Sequence, residues 1–148
     1  MNLYEEQLNH FFVSVFNDIL RLEEESLAKG EYKNLSVNEM HVIEAVCDAA
    51  KDGTNTMKEL SAKLQITASS LTISVKTLEQ KGYLIREKSE HDKRKVFVCP
   101  TEIAIKAYDH HHAFHEQLIG NVSKTLNEAE MAALTLALGT LHRFFLSQ

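Results

Sequence analysis

The sequence predicts a mainly α-helical protein with one small β-hairpin. Three observations carry that expectation. One proline and five glycines punctuate 148 residues, so long stretches can run as uninterrupted helix. Apolar side chains recur at three-and-four spacing in the first and last segments, the period of amphipathic helices. Two short runs, Tyr83 to Lys88 and Lys95 to Cys99, read as strands on either side of a polar connection. Apolar residues at 44% and charged residues at 25% are ordinary globular usage, which excludes a disordered or collagenous chain. The length fits one domain.

Leu8, Phe11, Phe12, Val15, Phe16, Ile19, Leu20 and Leu22 form one apolar stripe, so a first helix is expected from about Tyr4 to Ala28, with Gly30 marking its end. Ser36 and Glu39 make a capping box that opens a second helix to about Ala50, closed by Asp52-Gly53. Thr56 and Glu59 repeat that signature ahead of a short third helix to about Leu64. Thr67 caps a fourth, to Gln80, and Gly82 follows its end. A fifth helix is expected from Thr101 to about Lys124. Asn127 then caps a sixth, striped by Met131, Leu134, Leu138, Leu141 and Phe145.

Two short helices separated by Gln65-Ile66-Thr67 have the spacing of a helix-turn-helix, and the hairpin directly after them makes a winged helix. With Leu71 facing inward at 100° per residue, Val75 and Leu78 lie beside it. Ser69, Ile73 and Lys76 then point outward, with Thr72 at the edge. Together with Ser70 this is a small, hydrogen-bonding face able to approach base edges in a major groove. Ile73 suits a thymine methyl, hence A·T-rich sites. Lys93, Arg94 and Lys95 form a basic hairpin tip suited to phosphates, with Arg94 placed to enter a minor groove.

The net charge of −5 hides a division. Residues 57–100 carry +4 and the remainder −9, so a positive face for double-stranded DNA is compatible with an acidic protein. The N-terminal segment has no signal-peptide pattern and no run is long and apolar enough for a membrane span, so a cytoplasmic protein without membrane contact is expected. Cys47 and Cys99 lack CxxC partners and read as small core residues. No Ser/His/Asp order, glycine-rich phosphate loop or convergent carboxylate pair suggests an enzyme.

The stretch Thr56 to Glu102, with Asp92-Lys93-Arg94 in the hairpin, resembles the winged helix of the MarR family of bacterial repressors, and the helix order fits along the whole chain. The resemblance implies an intertwined homodimer. Residues 1–35 and 101–148 would form its helical dimerisation region and residues 36–100 its DNA-binding region, within one domain. It also implies that the wing arginine, Arg94, is supported by Asp92. Gln65 departs from the pattern, standing where the turn often has glycine, and Pro100 beyond the second strand cannot donate to a ladder.

A narrower resemblance rests on Phe16-Asn-Asp-Ile-Leu, Glu23-Glu24, Leu35 to His41, Leu78 to Tyr83 and Ser89 to Asp92. These look like the branch of the family that represses fatty-acid synthesis genes. It implies a long-chain acyl group on acyl carrier protein as effector, with no cofactor required. Phe12, Phe16, Ile19, Met40 and Phe114 are the candidates for an apolar effector pocket. The aromatic stripe of the first helix serves equally as dimer core.

Four of the eight histidines, His110, His111, His112 and His115, crowd the fifth helix. His111 and His115 share its inward stripe, and His41 and Glu44 share a side of the second helix, so a zinc site would require the two groups to face each other. Zinc-sensing members of the family resemble this pattern. The alternative is a set of partly buried histidines hydrogen-bonded to carboxylates such as Glu44.

Overall fold

The computed structural model describes residues 1–148 as six helices and two strands. They follow in the order α1 (Leu3–Ala28), α2 (Val37–Asp52), α3 (Met57–Leu64), α4 (Ala68–Gln80), β1 (Leu84–Lys88), β2 (Val96–Pro100), α5 (Glu102–Thr125) and α6 (Glu128–Leu146). The mainly α-helical class with a small wing is the observed one. Packing divides the chain into two units, Met1–His111 and His112–Gln148, with the division inside α5.

In the first unit, side-chain caps fix where helices begin. Asn2 and Glu5 close a capping box at α1 that the sequence reading did not anticipate, and Ser36 with Glu39 does the same for α2. At α3 the box is only half formed. Thr56 Oγ1 accepts from the Glu59 amide, but Glu59 takes the threonine hydroxyl at 2.7 Å rather than reaching the cap amide. Thr56 instead pairs with Phe97, and Asn55 bonds Val98 through both its carbonyl and its side chain, which ties the α2–α3 loop to the wing.

Gly53 ends α2 in the left-handed region, φ 75°. Gln65 adopts the same region between α3 and α4, φ 54°, where a side chain costs about 1 kcal/mol that glycine would not incur.

The core lies among α2, α3, α4, the wing and the start of α5. Met40, Ile43, Leu60, Leu71, Val75, Leu78 and Val98 are fully buried, each contributing roughly 1.5–3 kcal/mol. The strands pair antiparallel from Leu84 with Pro100 to Lys88 with Val96. The second strand therefore runs one residue past its expected end at Cys99. Pro100 is tolerated because it is the last residue of the ladder, and Thr101 takes up the pairing by donating its amide to the Tyr83 carbonyl. Cys47 is buried as expected, but Cys99 is only partly covered and its thiol points at the Glu87 carboxylate, 3.9 Å away.

The second unit holds the end of α5 and α6, whose capping box is Asn127 with Glu130. None of the residues of α6 is buried, and Leu136, Phe144 and Phe145 are more than half exposed. No helix of the chain is long and apolar enough to cross a membrane.

Candidate nucleic-acid interface

Helix α4 is oriented by Leu71, Val75 and Leu78, all fully buried, so its opposite face is left to solvent. Ser69, Ser70, Thr72, Ile73 and Lys76 are all exposed, as the helical phase predicts. Ile73 is 68% exposed, an unusual position for a branched apolar side chain at the middle of a helix. Two hydroxyls of the face are already engaged. Thr72 donates to the Ala68 carbonyl at 2.8 Å, which leaves it lone pairs and a methyl group to offer. Ser70 accepts from the Thr67 hydroxyl at 2.9 Å and keeps its own proton free.

The hairpin tip is built by local bonds. Ser89 and Lys95 close the turn backbone to backbone at 3.0 Å, and the Lys95 amide returns to the Asp92 carbonyl at 2.9 Å. Lys93, Arg94 and Lys95 are exposed, and Asp92 is half-buried beneath them. Arg94 Nε lies 3.2 Å from Asp92 Oδ1, the support expected of that aspartate.

Between α3, the start of α4 and the wing lies a groove of about 960 Å³, lined among others by Ser61, Ala68, Thr72, Arg86, Asp92 and Arg94. Arg86 was not singled out in the sequence. Its Nε is 2.8 Å from Glu79 Oε1, so it fastens β1 to the end of α4 and fixes the wing relative to that helix. The arrangement is an exposed helix face beside a cationic tip, suited to a groove and its flanking phosphates.

A second cleft, about 560 Å³, opens between α1 and the start of α2. Phe16 and Ile19 line it, with Leu20, Val37, Glu23 and His41. Of the other effector candidates, Met40 belongs to the fully buried core and does not line the cleft. Phe12 is half-buried and does not line the cleft, and Phe114 lies in the second unit.

The histidine groups of α2 and α5 do face each other. His41 Nε2 is 3.4 Å from Glu23 Oε1, His111 Nε2 is 3.0 Å from Glu44 Oε2, and the two imidazole rings stand 5.9 Å apart. Glu23 and His111 are 6% and 3% exposed, and their ligand atoms lie within 4.8 Å of each other. His115 is a turn further along α5, in the second unit. His110 turns to α1 instead, bonding Ser26 at 3.3 Å, with its ring tilted against Tyr32.

Glu23 is the member that sequence reading missed. Its signal was its place on the inward line Leu20, Glu23, Leu27, where a carboxylate requires partners. Glu23 and His111 are donors of the kind zinc accepts, and each is paired to a further donor, His41 and Glu44 respectively.

Residues 33–95 match the model of the MarR family. Over its length the chain is similar to Streptococcus pneumoniae FabT, solved in complex with DNA. The two are 29% identical, with a TM-score of 0.90 over 97% of this chain and 98% of that one. It is similar also to the reduced form of E. coli MarR, at 25% identity and TM-score 0.72 over 90% and 95% of the two chains. The S. aureus MepR–DNA complex, 15% identical with TM-score 0.78 over 92% and 96%, shares the fold. No curated protein matches the chain by sequence. With residues 33–95 matched to that model and the fold shared nearly end to end with S. pneumoniae FabT, the chain has the winged-helix architecture of these proteins.

Proposed function

We propose that the chain is a DNA-binding transcriptional repressor of fatty-acid synthesis genes. It acts as a homodimer on a pseudo-palindromic A·T-rich operator, with a long-chain acyl group on acyl carrier protein as corepressor. The observation that carries this reading is the similarity over nearly the whole chain to S. pneumoniae FabT in complex with DNA. The exposed face of α4, with Ser69, Thr72, Ile73 and Lys76, reads the major groove, and Arg94 enters the minor groove with Lys93 and Lys95 on phosphates. The regulator reading also accounts for a groove lined by recognition residues where an enzyme would need a converging reactive set.

The homodimer is supported by apolar surface. Helix α6 buries nothing and α1 exposes Leu8, Phe11 and Phe16, more than an isolated chain keeps in water. A second copy covers these faces and supplies the second recognition helix, so the operator repeats the symmetry of the protein. The α1–α2 cleft, with Phe16, Ile19 and Leu20, is the apolar surface offered to an acyl chain.

A gel shift on the promoter of a fatty-acid synthesis gene, with and without palmitoyl acyl carrier protein, tests the reading. Retardation that weakens steeply with salt and strengthens with the acyl carrier protein is expected. DNA that stays unbound at low salt overturns it.

A second reading, a zinc-responsive repressor, is favoured by the approach of the buried Glu23 and His111, with His41 paired to the first and Glu44 to the second. Glu23 and His111 would hold the ion, and zinc would cross-link α1 and α5.

A further inference from the structure

We infer that the Glu39–Lys81 ion pair is the link through which an occupant of the α1–α2 cleft sets the position of the recognition helix, with Lys81 as a positioning residue. The inference rests on the DNA-binding reading of α4 and holds for an acyl or a metal occupant alike.

One wall of the cleft is Phe16, Ile19 and Glu23 of α1; the other is Ser36, Val37 and Asn38 at the start of α2. Glu39 belongs to that same first turn. Its carboxylate accepts from the Ser36 amide at 2.9 Å while its amide donates to Ser36 Oγ at 3.1 Å, so cap and carboxylate move as one piece.

Lys81 is the residue on which α4 ends. Its ammonium donates to both Glu39 oxygens, at 3.0 and 2.8 Å, and to the Asn34 carbonyl. Tyr83, fully buried, donates its hydroxyl to Asn34 Oδ1 at 2.9 Å. Asn34 and Glu39, on either side of the wall residues Ser36, Val37 and Asn38, are therefore tied to Lys81 and Tyr83 just past the recognition helix.

The Lys81 and Glu39 side chains are 30% and 18% exposed, which shields the pair from much of the screening that weakens surface pairs. At its other side α4 is fastened to the wing by Glu79 and Arg86. A displacement of the cap thus reaches helix and wing as a unit. An effector acts only through a difference in affinity between two arrangements, and a tie of this kind is what makes the two arrangements differ at the DNA surface.

The test uses the full chain and needs no ligand, because Ile19→Trp fills the cleft from within. Amide hydrogen exchange at residues 77–83 and affinity for the fatty-acid synthesis promoter are measured with and without Ile19→Trp, in the Lys81, Lys81→Arg, Lys81→Met and Lys81→Gln backgrounds. Ile19→Trp is expected to change both readouts with Lys81 or arginine present, the affinity by about five-fold or more, and to change neither with Met or Gln. Equal responses in all backgrounds, or none in any, overturn the inference. Exchange that follows the expected pattern while no background binds the promoter refutes the DNA-binding reading and leaves the mechanical link standing.

Discussion

Asp92 Oδ1 accepts two hydrogen bonds from Arg94, one from its amide at 3.0 Å and one from its Nε at 3.2 Å. The Arg94 side chain is 92% exposed, yet it is held in one direction by a residue two positions before it. Replacing Arg94 with alanine is expected to weaken operator binding by about 1–3 kcal/mol. The melting temperature should barely move, because nothing packs on an exposed tip. Asp92→Ala should give a smaller loss of affinity. Fluorescence anisotropy on operator DNA, beside thermal melts, checks both; a large fall in stability for Arg94→Ala would make it a structural residue.

Ile73 and Thr72 divide the recognition face by chemistry. Ile73→Ser should weaken sites with thymine beneath the helix selectively, by roughly 1 kcal/mol or more per half-site, and leave sites without it nearly unchanged. A competition binding series across base substitutions reads this directly, and uniform weakening would contradict methyl recognition. Thr72 has given its proton to Ala68, so it accepts rather than donates.

On the zinc reading, the chelator-dialysed protein should melt higher when zinc is added, by about 2.7 kcal/mol of stabilisation at a hundred times the dissociation constant. Glu23→Gln and His111→Ala should each abolish most of that shift. Unchanged melting and unchanged operator affinity at saturating zinc remove the reading and leave four residues that satisfy one another.

Gln65→Gly relieves a left-handed backbone position. The exchange should stabilise the protein by up to about 1 kcal/mol, measured by urea unfolding. A loss of stability would mean that the glutamine side chain contributes more than its backbone costs.

Burial pushes the Glu39 carboxyl up, but the bonds from Lys81 and from Ser36 outweigh it and hold the group below the usual carboxylate value of 4.5. A depressed carboxylate stabilises the fold above its unfolded pKa, and that stability is lost as pH falls through the lower folded value. Glu39→Gln should therefore cost stability at pH 7 and flatten the decline below about pH 4.5. Denaturant titrations at pH 7, 4.5 and 3.5 reveal it.

Much of the fold was legible because local chemistry decides it. Ser36, Thr67 and Asn127 each cap a helix as read, and the inward phase of Leu71 fixed the outward phase of Ile73. What escaped depends on partners distant in sequence. Glu23 looked like one acid in a run of three until its neighbours His41 and His111 arrived from other helices. Met40 looked available to an effector because periodicity gives a face but not how completely that face is covered. Arg86 was one cation among nine in its region until Glu79 claimed it. The Thr56 box was misjudged because the Glu59 carboxylate accepts from the Thr56 hydroxyl and not from its amide.

The bareness of α6 has a thermodynamic consequence for the proposed homodimer. When a helix finds its apolar contacts only on another copy, folding and association become one equilibrium, and melting temperature rises with protein concentration. Dilution then removes repressor twice, by releasing the operator and by exposing the chain to proteolysis. The number of copies in the cell becomes a determinant of how long each one survives.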